Sequence, residues 1–415
     1  MYIGVVGPIA TKDLLSESEL QQHQSCPKGR AGAPLVSSLI KEYINRGHRV
    51  LAITIDPAMN DDDAPYIYTK GLLTYVIAPS RKRIFRPNGR RMGRTADFFR
   101  FERKHILELL NQFKPEVVHA HWTYEFALAA LDYNPNTLIT VHDNARTILS
   151  YIRTLERVFM FMLARYVFNR GRWFTAVSPY MAESVSEWTS AKVHVVGNPV
   201  PIPNVIGRTT IPDKPVISLI VNGWEKRKNC GNALLTFKAL QERYPQTVLW
   251  GMGDAFEPDG EAVKFCQEHA IDMSNIVLFG SIPYADVLAK IAQSTLVLHA
   301  SKEESFGMVL AEAMSYGVPV VAGKFSGAVP WVVQDGGLLV DITNVDEMVA
   351  AADRLLSDQA LYAQLSSNAI EAVKTRFALK TIADQYLDLY QKCSADTIDG
   401  SNKLRRTAPA MTQIE

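Results

Sequence analysis

The stretch 299–323 holds two carboxylates whose surroundings suit the binding of a charged, hydroxyl-bearing ligand. Glu304 lies in a predicted loop after a strand, and Glu312 lies in a predicted helix that begins near Met308. The free N–H groups and the positive dipole end of such a helix favour an anion, for example a diphosphate. Because helical side chains tilt toward the N-terminus, Glu312 would point back at the same ligand and accept hydrogen bonds from two vicinal hydroxyls.

Both glutamates also have a plainer interpretation. Most glutamates are exposed, so Glu312 could be a solvated helix residue and Glu304 a surface charge of the loop. Gly307, just before the helix, could be a turn glycine, although a glycine there also allows the backbone to approach a ligand closely. The sequence pattern by itself leaves both interpretations open.

Strands alternate with helices along nearly the whole chain, which is the pattern of βαβ units in parallel sheets. The proline-rich stretch 198–215 has little helix or strand signal and divides two such runs. We therefore expect an α/β protein with two Rossmann-like, doubly wound domains facing a cleft, in which ligands lie at the carboxyl ends of the strands. The predicted strands are 2–6, 49–55, 73–78, 116–119, 137–141, 173–177, 192–196, 216–222, 247–251, 276–280, 295–299 and 318–322.

Composition excludes several classes of protein. The 415 residues are 47% hydrophobic and 21% charged with a net charge of +1, which indicates a globular protein and excludes disordered, collagen-like and coiled-coil chains. The four cysteines have no CxxC spacing, so neither a zinc site nor a disulfide framework is indicated. No apolar run is long enough for a transmembrane helix, and the N-terminus is typical of a first strand. We expect a cytoplasmic protein.

The stretch with Glu304 and Glu312 resembles the E-x7-E signature of family 4 glycosyltransferases, retaining enzymes of the GT-B fold. The resemblance extends over most of the chain, and its pieces together are specific where E-x7-E alone is weak. These pieces are the 29–32 turn before a helix ending RGHRV, VVHAHW, TVHDN, TAVSPYM, VVGNPV, NGWEKRKN and SGAVPWVV.

The resemblance implies roles for the residues of 299–323. In such enzymes the first glutamate lies near the donor sugar and the second holds the ribose, so Glu304 and Glu312 are the matching residues here. Amides of the intervening loop bind sugar and phosphate, which assigns that role to the backbone of Phe306, Gly307 and Met308.

The loop NGWEKRKN at 222–229 is expected to supply positive charge for the leaving diphosphate. The family usually has an arginine directly after the glycine, here Gly223, and a lysine several residues on. Trp224 occupies the arginine position, which is a departure from the family pattern. Lys228 is therefore the preferred phosphate ligand and Arg227 the candidate substitute for the missing arginine, whereas a solvated basic turn is the alternative.

The first half of the chain offers two histidines and a glycine. His142, at the end of a predicted strand, resembles the histidine that contacts the donor sugar in the family, and His121 is a weaker candidate of the same kind near the acceptor. His119 is expected to pack within its strand. Gly32 could let the backbone approach the diphosphate, with turn geometry alone as the alternative.

The resemblance implies a retaining transfer of a sugar from a nucleotide-diphosphate sugar to a hydroxyl of a glycan or lipid-linked acceptor, as in polysaccharide assembly. We expect no metal, because no DxD-type motif stands at the end of a predicted strand, and no cofactor, because the nucleotide-sugar donor is a substrate. A nucleotide-sugar hydrolase or epimerase, a sugar-phosphate synthase and a non-catalytic nucleotide-sugar-binding protein are the rivals. A dinucleotide-dependent oxidoreductase is not favoured, because the chain has no clear GxGxxG motif between a predicted strand and a predicted helix.

The segment 81–104 carries ten Lys or Arg residues and two acids, a local charge of 10 − 2 = +8. We expect this N-terminal segment to bind an anionic membrane surface, with a solvated loop or an anionic soluble glycan as the alternatives. Nucleic acid is not expected. The helix predicted within 153–172 is apolar and flanked by arginines, and burial in the core is its expected fate. The candidate residues for the acceptor or the membrane are Arg81, Lys82, Arg83, Arg90, Arg91 and His121.

The predicted organisation is an acceptor domain at 1–200 and a nucleotide-sugar-binding domain at 216–376. By resemblance to GT-B enzymes, a helix at 377–393 returns to the first domain. Residues 394–415 are predicted to form a disordered tail. The expected location is the cytoplasm, with peripheral attachment to the inner face of a membrane.

Overall fold

The computed structural model describes the backbone of residues 1–406 and the side chains of residues 1–395. The chain forms two compact units. The first comprises Met1–Val177, Ala182–Val196 and the described part of the chain from Ala383, and the second comprises Ser178–Met181 and Gly197–Ile382.

The first unit is built on an eight-stranded sheet in the order β3-β4-β2-β1-β5-β6-β7-β8. All neighbouring strands are parallel except β3, which pairs with β4 in an antiparallel hairpin. The strand order reverses at β1, which lies between β2 and β5, so the sheet is doubly wound. The strands are β1 (Tyr2–Val6), β2 (Arg49–Asp56), β3 (Tyr66–Lys70), β4 (Leu73–Pro79), β5 (Val117–His121), β6 (Leu138–Val141), β7 (Trp173–Ala176) and β8 (Val193–Val195).

Helices connect these strands, and their ends follow the local sequence. The third begins with Pro34 and stops before Gly47, whose φ of +81° only a residue without Cβ adopts easily. The helix after β6 begins behind Asn144, whose side chain accepts hydrogen bonds from the next turn. The helices up to β8 are α1 (Thr11–Leu14), α2 (Glu17–Gln22), α3 (Pro34–Asn45), α4 (Arg100–Phe113), α5 (Glu125–Tyr133), α6 (Ala145–Tyr151), α7 (Leu155–Arg170) and α8 (Pro179–Val185).

The second unit is a six-stranded, fully parallel sheet in the order β11-β10-β9-β12-β13-β14. Its strand order reverses between β9 and β12, so the loops after these two strands emerge side by side at the carboxyl edge. The strands are β9 (Val216–Ile220), β10 (Val248–Met252), β11 (Ile276–Gly280), β12 (Leu296–His299), β13 (Val320–Gly323) and β14 (Gly337–Val340), and the helices are α9 (Cys230–Arg243), α10 (Glu261–Glu268), α11 (Tyr284–Gln293), α12 (Met308–Ser315), α13 (Val329–Val333), α14 (Val345–Ser357) and α15 (Gln359–Arg376).

Two doubly wound parallel sheets confirm the predicted α/β class and the two Rossmann-like domains. The alternation pattern missed β3 and β14. The first forms a half-exposed edge hairpin with β4 around Gly71. The second begins at Gly337, and its other three residues are only partly buried, so neither shows the continuous apolar run of a buried parallel strand.

The last helix, α16 (Leu379–Arg406), differs from the prediction that a tail begins at residue 394. No proline lies between Leu379 and Pro409, so no missing backbone N–H group stops the helix at Cys393. The rest of the predicted tail, residues 407–415, lies outside the described residues. In the part of the chain that the structure describes, no helix has the length and apolarity that crossing a bilayer requires.

Candidate active site

The loop after β12 and the start of α12 form the centre of the candidate site in the second unit. Gly307 precedes the helix with φ +92°, a left-handed conformation that favours glycine. Its carbonyl accepts hydrogen bonds from the N–H groups of Leu310 and Ala311. The N–H groups of Met308 and Val309 belong to the first turn, where the helix offers no internal acceptor. They are therefore suited to an anion.

Phe306 contributes to this loop in a different way from its neighbours. Its side chain is buried and packs edge-on against Trp331 and Phe377. The aromatic ring therefore anchors the loop to the unit, and only the backbone of Phe306 is placed to meet a ligand, in line with the amide role predicted for it.

Glu304 is held by cations from a neighbouring loop. Its Oε1 lies 2.8 Å from Nζ of Lys228, and both side chains are less than a fifth exposed. Nε2 of His299, the last residue of β12, lies 3.6 Å from the same oxygen. The loop after β9 carries Lys228, and β9 is the neighbour of β12 in the sheet, so the topology brings the two side chains together.

The environment of Glu304 keeps its carboxylate ionised. Burial raises the pKa of Glu304, but the hydrogen bond from His299 and the charge of Lys228 outweigh burial and lower it well below its usual range. The interpretations of Glu304 as a surface charge and of Lys228 as a solvated basic turn are therefore wrong. An ionised carboxylate beside an ammonium group, at the mouth of a helix N-terminus, is an arrangement that can stabilise developing charge.

Arg227, a predicted phosphate ligand, contacts residues of the loop after β12. One guanidinium nitrogen donates a hydrogen bond of 3.0 Å to the carbonyl of Glu303 and lies 3.8 Å from the Glu303 carboxylate and 3.9 Å from Glu304. In return, the Arg227 carbonyl accepts a 2.8 Å bond from the N–H of Lys302. Arg227 thus ties the two loops together, and its guanidinium remains beside the Glu304 carboxylate.

Gly223 and Asp254 fix the start of the loop that carries Lys228. Gly223 has φ +90°, and its N–H donates a hydrogen bond to the Asp254 carboxylate. A Cβ at this position would come within 2.3 Å of the Glu225 carboxylate. The Glu225 side chain could move aside, so it is the positive φ that favours glycine here, and this is compatible with the donor-binding role predicted for its backbone.

Glu312 lies within α12 and is only 4% exposed, so the interpretation as a solvated helix residue is wrong. The hydroxyl of Tyr284, the first residue of α11, donates a 2.7 Å hydrogen bond to its Oε1. Burial raises the pKa of Glu312 to about 7, and the bond from Tyr284 opposes that rise only in part. Near neutral pH this carboxyl is poised between its two protonation states.

The histidines predicted in the first half lie together at the carboxyl ends of β5 and β6. Nδ1 of His121 lies 3.0 Å from Nε2 of His142, and the indole of Trp122 stacks on the His142 ring at 4.2 Å. His119 hydrogen-bonds to Thr140 and packs within the strand, as predicted. Burial lowers the pKa of His142 to about 3 and that of His121 well below its usual range, so both rings are neutral at physiological pH.

Gly32 lies in an open part of the loop before α3. Its φ is +117°, and a Cβ built there meets no atom within 4 Å. The backbone conformation explains the glycine, and the residue is exposed, which is compatible with either of the interpretations given for it. Gly29, in the same loop, is more constrained, because a Cβ would lie 2.4 Å from the carbonyl of Ile9.

The prediction for the basic segment 81–104 is wrong for one residue, Arg81, which was a candidate for contact with the acceptor or the membrane. Arg81 is 1% exposed and forms ion pairs with Asp97 at 2.8 Å and Glu102 at 2.7 Å. Its guanidinium organises the fold of the segment and cannot reach a membrane or an acceptor. Arg91 pairs with Asp62 at 2.8 Å but remains partly exposed. The other candidates, Lys82, Arg83 and Arg90, are exposed.

Sequence reasoning missed His299 and Tyr284, which contact the two glutamates. His299 could have been found, because it ends the strand before the Glu304 loop and the carboxyl-end rule applies to it. Tyr284 gave no such signal. It lies 28 residues before Glu312, and only the packing of α11 on α12 brings the hydroxyl to the carboxylate.

Comparison with known proteins gives two matches that meet near residue 202. Residues 34–202 match the family described as Glycosyltransferase Family 4, and residues 202–372 match Glycosyl transferases group 1. Among individual relatives, the N-acetyl-alpha-D-glucosaminyl L-malate synthase of Bacillus anthracis is 35% identical over 117 residues, 28% of this chain and 30% of that protein. The lipopolysaccharide core biosynthesis glycosyltransferase LpsE of Rhizobium meliloti is 28% identical over 153 residues, 35% of this chain and 42% of that protein. The match thus spans less than half the length of either relative.

Solved structures share the fold over nearly the whole chain. Sucrose-phosphate synthase from Thermosynechococcus elongatus has a TM-score of 0.72 at 16% identity, covering 95% of this chain and 99% of that one. Anabaena Alr3699/HepE in complex with UDP and glucose has a TM-score of 0.66 at 17% identity, covering 94% and 100%. From the two family matches and the two doubly wound sheets, the chain belongs to the family 4 glycosyltransferases of the GT-B fold.

Proposed function

We propose that this protein is a retaining glycosyltransferase that moves a sugar from a nucleoside diphosphate sugar to a hydroxyl group of a glycan or lipid-linked acceptor, without a metal ion or cofactor. The observation that carries the proposal is the Glu304–Lys228 pair beside the N-terminus of α12, at the point where the strand order of the second unit reverses. Ligands of doubly wound sheets bind at such points.

Each part of the donor has a matching group in this unit. The first-turn amides of α12 and the ammonium of Lys228 would bind the diphosphate. The Glu312 carboxylate, which accepts a hydrogen bond from Tyr284, would in its ionised form also accept hydrogen bonds from the ribose hydroxyls. Glu304 would lie beside the donor sugar, and its negative charge is favoured by His299 and Lys228.

In the proposed reaction the acceptor oxygen forms a bond to the anomeric carbon on the face from which the diphosphate departs. The bond between the anomeric carbon and the diphosphate oxygen breaks, and that oxygen takes the proton of the acceptor hydroxyl. Lys228 and the helix amides stabilise the charge that develops on the leaving group. His142 is proposed to position the sugar, because a ring whose pKa is about 3 is a poor general base near neutral pH.

The nature of the acceptor is proposed from the relatives. Two of them are lipopolysaccharide core biosynthesis glycosyltransferases of Rhizobium meliloti, which favours a glycan assembled on a lipid as the acceptor. HepE has been crystallised with UDP and glucose, so UDP-sugars are the first donors to test.

A thermal-shift screen with UDP, GDP, ADP and their sugars tests the donor proposal, because a ligand that binds the folded state raises its apparent stability. We expect one nucleoside diphosphate and its sugars to raise the transition in the presence of a chelator. Product analysis with the matching donor then separates transfer from the rival activities. Release of free sugar without any glycoside product would instead indicate a hydrolase, and an isomerised donor would indicate an epimerase.

A further inference from the structure

A stripe of apolar side chains lies exposed along one face of α7. Leu155, Val158, Met162 and Tyr166 follow each other at helical spacing and are 62%, 38%, 42% and 52% exposed. The opposite face, which includes Leu163, is buried. The expectation that this helix is enclosed in the core is therefore wrong for half of its surface. An aligned row of large apolar residues in contact with water marks an interaction surface.

The basic segment borders this stripe. The rings of Phe85 and Phe98 lie 5.7 and 5.5 Å from the ring of Phe159, which follows Val158 on α7. Phe85 is itself 38% exposed, and Met92 in the same segment is 60% exposed. The apolar stripe and the basic segment therefore form one continuous surface of the first unit, which we call the α7 face.

The α7 face carries uncompensated positive charge. Arg81 and Arg91 are paired with carboxylates, as described above. The exposed side chains of Lys82, Arg83, Arg86 and Arg90 take part in no ion pair among residues 1–395, whose side chains the structure describes. Four cations thus stand beside an apolar row, without internal neutralisation.

We infer that the α7 face docks on an anionic lipid bilayer, with the stripe on α7 entering between the headgroups and the four cations contacting lipid phosphates. An interfacial helix with an apolar face and basic surroundings has this behaviour. A second copy of the chain fits the surface less well, because a two-fold contact would bring the same cations opposite one another. A hydrated anionic glycan would use the cations but would leave the apolar row in water.

Flotation of the full chain with phosphatidylcholine vesicles that do or do not contain phosphatidylglycerol tests the inference. We expect binding only with phosphatidylglycerol, weakened as salt rises from about 50 mM to about 500 mM. The variant Val158→Glu with Met162→Glu should lower partitioning at least about tenfold, since two apolar groups lose their burial in lipid. Changing Lys82, Arg86 and Arg90 to Gln should lower it on the order of 100-fold, about fivefold for each cation.

A matched control changes an exposed apolar residue and an exposed lysine of the second unit, Ile206→Glu with Lys214→Glu, and should float like the wild type. Nucleotide binding by every variant reports that the chain is folded and tests the proposed function separately from docking. Wild-type protein that does not float at low salt overturns the inference. So does a stripe variant that floats like the wild type. Loss of a dimer, measured by light scattering in the stripe variant, would assign the face to a second copy instead.

Discussion

Replacement of Lys228 by Met tests the ion pair on which the proposed site depends. Nζ of Lys228 and Oε1 of Glu304 are 2.8 Å apart, an attraction of about 6 kcal/mol at an effective dielectric constant of about 20, before the cost of desolvation is subtracted. Removing one partner of a buried pair costs about 3–5 kcal/mol. Because the His299 ring and the Arg227 guanidinium stay within 4 Å of Glu304 and still compensate its charge in part, we expect a smaller loss than this range, about 2–3 kcal/mol.

The kinetic effect of Lys228→Met should be larger than the loss of stability suggests. Without the ammonium the leaving diphosphate loses a preorganised cation, and kcat/KM for sugar transfer should fall about 100- to 1,000-fold. Initial rates of nucleoside diphosphate release in the presence of acceptor measure this, and denaturant unfolding measures the stability. Lys226→Met is the matched control in the same loop, because this lysine is exposed and should change stability by less than about 0.5 kcal/mol.

The double variant Lys228→Met with Glu304→Gln separates the two effects. Removing the carboxylate charge as well should restore most of the lost stability, because no uncompensated charge is left buried. Activity should stay low, since both groups of the site are gone. A Lys228→Met protein that is folded and retains kcat/KM within about threefold of the wild type would refute the role assigned to the pair.

Three further predictions concern other residues. Donor binding should weaken about tenfold per pH unit below 7, because burial raises the pKa of Glu312 to about 7 and only the ionised carboxylate accepts two ribose hydrogen bonds. Titration calorimetry across pH checks this, and the Glu312→Gln variant should bind the donor weakly at every pH. His142→Ala should lower kcat more than it raises KM, since the ring positions the sugar, and an unchanged kcat would exclude that role. Arg81→Met should lower the free energy of unfolding of the first unit by about 3 kcal/mol or more in denaturant unfolding, because it leaves Asp97 and Glu102 without their cation. A decrease of less than about 0.5 kcal/mol would contradict the structural role of Arg81.

The sequence pattern carried most of the fold because parallel strands buried on both faces are short, continuous apolar runs. It failed at β3, where one face is exposed, and at β14, which begins at Gly337 and has only three apolar side chains, all of them partly exposed. At the carboxyl edge of the second unit, the pattern placed Glu304 and Lys228 in loops after strands, and strand order then determined that these loops are neighbours.

Charge counting could not show which cations of the basic segment are exposed. The sum of +8 already includes Asp97 and Glu102, but it does not show that Arg81 is the residue buried against them. Likewise, the pairing of Tyr284 with Glu312 depends on how two helices pack, and residue spacing does not specify that. Exposure of one face of α7 was hidden for a related reason, since a helix that is apolar on both sides is typical of the core.

Equilibrium binding of nucleoside diphosphate sugars, measured by titration calorimetry in the presence of a chelator, tests the central claim most directly. The claim is that Glu312, the start of α12 and Lys228 form a metal-independent donor site. It predicts that one such sugar binds, that Glu312→Ala lowers its affinity at least about tenfold, and that Lys226→Met leaves the affinity unchanged. Absence of binding by any donor, binding that requires a divalent cation, or equal affinity of the wild type and Glu312→Ala would contradict it.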